Sequence, residues 1–130
     1  MQDLPFRDHP FITGVELLDK VEKKGEKLVK TPFTDGRVHL PFFVLFRLNE
    51  VEGEGPVSLV IYDEEGRQVF RKEFPFGEQE KYYDHVTVYQ CIDQLPGNRF
   101  YLTIFLREEM MYGNWVELNG AIGQPLPASR

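Results

Sequence analysis

Three histidines, one cysteine, two serines and several grouped carboxylates are the residues of this chain that could carry chemistry. Their spacing argues against most of it. A metal site on a local motif needs His at i and i+2 or i+4, or His beside Cys or carboxylates in register. His9, His39 and His85 have no such neighbours. Asp84 and His85 are adjacent, so on a strand they point to opposite faces and form no dyad. Cys91 is alone, which excludes an intrachain disulfide and a Cys-based zinc site. His85 shares the face of Cys91 but lies six residues away, about 20 Å along an extended strand, too far to activate the thiol. Ser58 lacks a Gly-x-Ser-x-Gly elbow, Ser129 lies close to Arg130, and no glycine-rich phosphate loop occurs. The residues therefore point to no catalytic group, no cofactor and no metal, and a non-enzymatic protein is expected.

The acidic groups fit the same reading. Asp63-Glu64-Glu65 and the set Glu50, Glu52, Glu54 flank one apolar run at its two ends, so they do not converge as the six to eight oxygens around calcium must. Solvated turns are the simpler assignment. The net charge of −6 argues against a nucleic-acid partner. The lysines between Lys20 and Lys30 are interleaved with Glu22 and Glu26, as on a solvated hairpin. His39 shares a face with Arg37 and would make a pH-sensitive contact if that face met a partner.

Contact chemistry is better represented. Met110, Met111 and Tyr112 stand near Trp115, either as an adaptable apolar contact surface or as a cap on one end of the fold. Tyr62, Tyr82, Tyr83, Tyr89, Tyr101 and Trp115 offer planar rings that stack on sugars, although β-propensity alone selects such residues on outer strand faces.

The elements that must position these residues are strands. Eleven Phe, six Tyr and one Trp enrich the chain in strand formers, and Ala, the best helix former, occurs only at Ala121 and Ala128. A length of 130 residues suits one domain with a single core. Residues 1–10 read as an extended arm, 11–120 as the domain and 121–130 as a flexible, Pro-containing tail. Phe11 to Val21 reads as a strand leading into a hairpin at Lys23 to Glu26, with Leu28 to Phe33 as the return.

The clearest signal is the meander from Val38 to Arg71. Its first strand, Val38 to Asn49, sets Leu40, Phe42, Val44, Phe46 and Leu48 on one face, which must be core. The other face is apolar in the middle. Phe43 and Leu45 need a cover, either the N-terminal segment or a second subunit, because a strand of a simple sandwich alternates with polar residues outside. Pro41 lacks an N–H and implies an edge or a bulge. Val57 to Asp63 and Arg67 to Phe76 follow, joined by Asp63-Glu64-Glu65-Gly66 as a type I turn with a Gly bulge. Later strands are Tyr82 to Ile92, the run from Phe100 to Arg107, and Asn114 to Leu118, with Arg107 to Met111 irregular. Seven or eight strands with regular turn signals predict an all-β, antiparallel sandwich with an N-terminal hairpin.

The Leu95-Pro96-Gly97 turn and the alternating strand from Phe100 resemble the penultimate strand of immunoglobulin- and fibronectin-like sandwiches, with Phe100 where many of those carry Tyr. Val15 to Leu48, then IYDEEGRQVF and LPGNRFYLTIFL, look similar to a bacterial family of small β-sandwich proteins of unknown function. Gly25-Glu26-Lys27-Leu28 and Leu40-Pro41-Phe42-Phe43-Val44 carry that likeness, which implies the fold and no catalytic residues. The expected function is a protein-interaction module that self-associates, as a homodimer or with another protein. Its candidate contacts are Phe43, Leu45, Val60, Tyr62, Met110, Met111, Tyr112 and Trp115. The rival is a small-molecule or carbohydrate-binding module using exposed Tyr and Trp. With a charged, Pro-broken start and no apolar run of about 18 residues, no membrane association and a cytoplasmic location are expected.

Overall fold

The computed structural model describes residues 11–52, 55–75 and 82–119, with the backbone alone at 51–52 and 82–85. The expected arm at 1–10, the tail at 121–130 and Glu54 lie outside these residues. The described residues form strands and turns and no helix. The strands are β1 (Phe11–Leu18), β2 (Lys20–Lys24), β3 (Lys27–Thr31), β4 (Phe42–Glu52), β5 (Val57–Tyr62), β6 (Gln68–Phe74), β7 (Tyr82–Ile92), β8 (Arg99–Leu106) and β9 (Glu109–Glu117). Every pairing is antiparallel. One sheet runs β1-β4-β7, a second runs β6-β5-β8-β9, and β2-β3 form a separate hairpin.

Alternation explains how the sheets meet. Phe42, Val44, Phe46 and Leu48 of β4 share one buried cluster with Val57, Leu59 and Ile61 of β5 and Phe100, Leu102, Ile104 and Leu106 of β8. Val88 and Ile92 of β7 and Val116 of β9 close its flanks, and Phe33 and Val38 enter from the β3–β4 connection. Residues two apart on each strand face inward, so the inner faces of the two sheets make the core of a sandwich.

Three elements depart from the sequence expectation. The run Phe11 to Val21 is two strands that part at Asp19, whose N–H bonds the Thr31 carbonyl at 2.9 Å. β1 stays in the sheet, bulged between Thr13 and Glu16 with Gly14 at a φ of 65°, while β2 leaves it for the hairpin. β4 begins after Pro41 rather than at Val38, and it is the central strand of its sheet. Pro41 sits just outside the ladder and therefore costs no hydrogen bond. Arg107 to Met111 is a tight two-residue turn at Arg107-Glu108 followed by the first three residues of β9. Arg107 holds the turn with a φ of 58°.

The hairpin supplies the cover that Phe43 and Leu45 require. Leu18, Val21 and Leu45 form a second buried cluster, with Leu28, Phe43 and Tyr89 packed against it. Gly25, at a φ of 65°, makes the two-residue turn that folds β3 back on β2. Lys20, Glu22 and Lys24 pair on the hairpin's solvent side, with Lys20 to Glu22 at 2.7 Å. β4 is thus packed on both faces by its own chain.

Candidate functional site

The outer face of the four-stranded sheet has no second layer among the described residues, yet part of it is buried. Residues directly opposite on neighbouring strands share a face, so the register defines three rows. The first row is Tyr62, Tyr101 and Trp115. The second is Arg71, Val60, Thr103 and Gly113. The third is Glu73, Ser58, Phe105 and Met110. Val60, Thr103 and Ser58 are each only 1% exposed. Small residues in the middle are hidden by long ones in the flanking rows. The Tyr101 ring leans over Gly113 and would clash with any Cβ there. It also packs against Trp115 with centroids 5.2 Å apart. Thr103 Oγ1 donates to the Val60 carbonyl at 2.7 Å, while Ser58 Oγ is buried with no partner.

The first row ends at a polar cleft of about 330 Å³ lined by Asp63, Glu64, Glu65, Arg67, Pro96, Gly97, Asn98 and Arg99. One wall is the β5–β6 turn, closed as its sequence implied. Gly66 has a φ of 85°, and the Asp63 N–H meets the Arg67 carbonyl at 2.9 Å. Asp63 Oδ1 accepts from the N–H groups of Glu65 and Arg67, and Oδ2 from Arg67 Nε at 2.9 Å. The Arg67 backbone N–H, its guanidinium and the Glu65 N–H together hold the Asp63 carboxyl below the usual range. The other wall is the Pro96-Gly97-Asn98 turn. Between them Arg99 lies 4.5 Å from the Trp115 ring centroid and 3.9 Å from Glu64, a cation fixed on an aromatic face. Its Nε is buried without a hydrogen-bond partner.

The predicted contact residues separate into three groups. Leu45 and Phe43 pack with the hairpin, and Val60 is buried in the sheet, so Leu45 and Val60 offer no surface to a second copy. Met111 and Tyr112 pack against the main core, where they are strand residues rather than a loop. Tyr62, Trp115 and Met110 remain on the outer face, Met110 at 50% exposure. Tyr101 joins Tyr62 to Trp115. Arg99 and Gly113 are the additions that sequence reasoning missed. Alternation from Tyr101 places Arg99 on the ring face, but nothing in the sequence marks Gly113 as the seat of a ring.

The remaining candidates have local partners. His39 Nε2 lies 2.7 Å from Asp35 Oδ2, and its ring meets Phe33 edge-on at 5.7 Å. That bond and the Arg37 N–H lower the Asp35 pKa. Arg37 donates to the Asn119 carbonyl at 2.7 Å, tying the β3–β4 connection to the end of β9. Burial pushes the Cys91 thiol up, with Asp93 adding to the effect, the opposite of activation. Among the described residues no three His, Cys, Asp or Glu side chains gather as a metal site, and no helix is long and apolar enough to cross a membrane. The arrangement offers aromatic faces for stacking and a fixed guanidinium for hydrogen bonding. No protein-family model matches the chain and no curated protein matches it.

Proposed function

We propose that the chain is a non-enzymatic protein-binding module of immunoglobulin-like architecture whose contact surface is the outer face of β6-β5-β8-β9. The strand order supports the architecture. With the β2-β3 hairpin set aside, the first, second and fifth strands form one sheet and the third, fourth, sixth and seventh the other. The observation that carries the function is the row Tyr62–Tyr101–Trp115 with Arg99 stacked at its end. Tyr, Trp and Arg are the residues in which binding energy concentrates at protein interfaces. Here they are already ordered by contacts within the chain, so little side-chain freedom is lost on binding. The charged turns around the cleft would form the polar rim. The single thiol and the motif likeness support a reducing, bacterial cytoplasmic setting.

Selection from a displayed peptide library tests this reading. Binders raised against the wild-type protein should lose affinity at least about tenfold for Trp115→Ala and Tyr101→Ala. The control Lys23→Ala on the hairpin should leave them unchanged. Binders indifferent to both ring variants would refute the assignment. A second reading, a sugar site on the same rings, is favoured by the cleft that Arg99, stacked on Trp115, helps to line. It predicts a change in emission of this single tryptophan across a glycan panel.

A further inference from the structure

We propose that two copies of this chain pair antiparallel along β7, joining their three-stranded sheets into one six-stranded sheet about a two-fold axis at Tyr89. This goes beyond the ring face, which lies on the other sheet. β7 is the terminal strand of β1-β4-β7, and among the described residues its far edge pairs with no strand. It spans 11 residues. A strand edge carries a row of backbone donors and acceptors that template another strand, and natural proteins blunt such edges with charge, Pro, Gly or bulges.

Three of the four terminal strands are blunted. β6 sets Lys72 opposite Leu59, on the core-facing side, and is followed by Pro75. β9 carries Gly113 and is itself bulged at Met111, the extra residue opposite Ile104 and Phe105. β1 is bulged at Gly14. From Val86 to Ile92, β7 reads VTVYQCI, with no charge, Pro or Gly. In a chain of net charge −6 that neutrality lets two identical edges approach without local repulsion.

The occupant is a second copy, because its own neutral run from Val86 to Ile92, centred on Tyr89, presents the same unpaired edge. An axis at Tyr89 sets Thr87 opposite Cys91, Val88 opposite Gln90 and Val86 opposite Ile92 of the other copy, and Tyr89 against its equal. Each pair keeps its face, because residues at equal distance from the axis have the same parity. Val86 and Ile92 extend the core side, while Thr87, Tyr89 and Cys91 extend the side roofed by the hairpin. The dimer would carry two ring faces and bind a repeated partner bivalently.

Light scattering should give twice 15.2 kDa at high protein concentration, falling towards one chain on dilution. Thr87→Cys should form a covalent dimer under diamide, because the new thiol faces Cys91 of the other copy. Thr87→Cys/Cys91→Ser should not, since equivalent positions 87 lie about 13 Å apart along the strand. Prolines at Thr87 and Gln90 supply a second route, because N–H groups at odd and even positions point to opposite edges. One of the two cuts the ladder to β4 and loses stability; the other stays folded and becomes monomeric. A wild-type protein that is monomeric at every concentration overturns the proposal and leaves the ring-face reading standing. A dimer that is not cross-linked through Thr87→Cys and that dissociates only in Trp115→Glu also overturns it, and assigns self-association to the ring face.

Discussion

The Tyr101 ring lies across the backbone of Gly113 on the neighbouring strand, so close that a Cβ there would overlap its hydroxyl and stand 2.9 Å from Cζ. Gly113→Ala must therefore move the ring, and with it the contact to Trp115. The expected cost is about 1–3 kcal/mol, typical of a group inserted into a packed site. It is read by urea unfolding, together with a shift in Trp115 emission. In Tyr101→Ala the same glycine substitution should cost much less, and equal costs in the two backgrounds would refute the contact.

Leu45 and Val21 share the small cluster beneath the hairpin. Leu45→Ala should lower stability by about 2–4 kcal/mol, as for a buried leucine. Val21→Ala should cost less and combine non-additively with it. Urea unfolding of the single and double variants measures both. A cost below about 0.5 kcal/mol for Leu45→Ala, the range of surface substitutions, would mean that the hairpin does not roof β4.

Acid should loosen the molecule in a defined way. Asp63 and Asp35 have lowered pKa values, Asp63 chiefly through the Arg67 N–H and Asp35 chiefly through His39. A carboxyl of that kind stabilises the fold fully above the ordinary carboxylate range, near pH 4, and loses its contribution as pH falls through its lowered value. Urea midpoints measured down the acid range should fall less steeply in Asp63→Asn and Asp35→Asn. Unchanged slopes in both would count against these bonds in solution.

Two buried hydroxyls should behave oppositely. Thr103 bonds the Val60 carbonyl, so Thr103→Val should cost about 1–2 kcal/mol. Ser58 Oγ has no partner, so Ser58→Ala removes a desolvated group and should leave stability within about 1 kcal/mol of wild type, or raise it. Thermal melts of the two variants side by side decide the matter.

The sandwich was legible because its signals are local. Gly25 and Gly66 mark turns whose backbone needs positive φ, and the alternation of Phe42, Val44, Phe46 and Leu48 marks an inward face. The turn at Arg107 was not legible, since a non-glycine residue at positive φ leaves no mark in composition. That is why Arg107 to Met111 read as irregular. Phe43 and Leu45 announced a missing cover and left two candidates open, the N-terminal segment, which supplies it, and a second subunit. Apolar surface shows no difference between a neighbour in the same chain and one in another, and Val21 and Leu28 sit among too many lysines to advertise a hairpin underside. The pairing of Tyr101 with Gly113, and of Arg99 with Trp115, depends on register across β8 and β9, which sequence alone does not supply.

The roof over β4 has a consequence for solubility. The hairpin is small and largely solvated outside, so it belongs to the class of segments that open locally without global unfolding. When it lifts, Phe43 and Leu45 meet water on a strand whose opposite face is apolar as well, the kind of surface from which aggregates nucleate. Proteolytic nicking at the exposed Gly25-Glu26 tip would have the same effect on a molecule whose main core is intact. Lifting this one short flap is therefore a route to exposing Phe43 and Leu45 that leaves the sandwich beneath it folded.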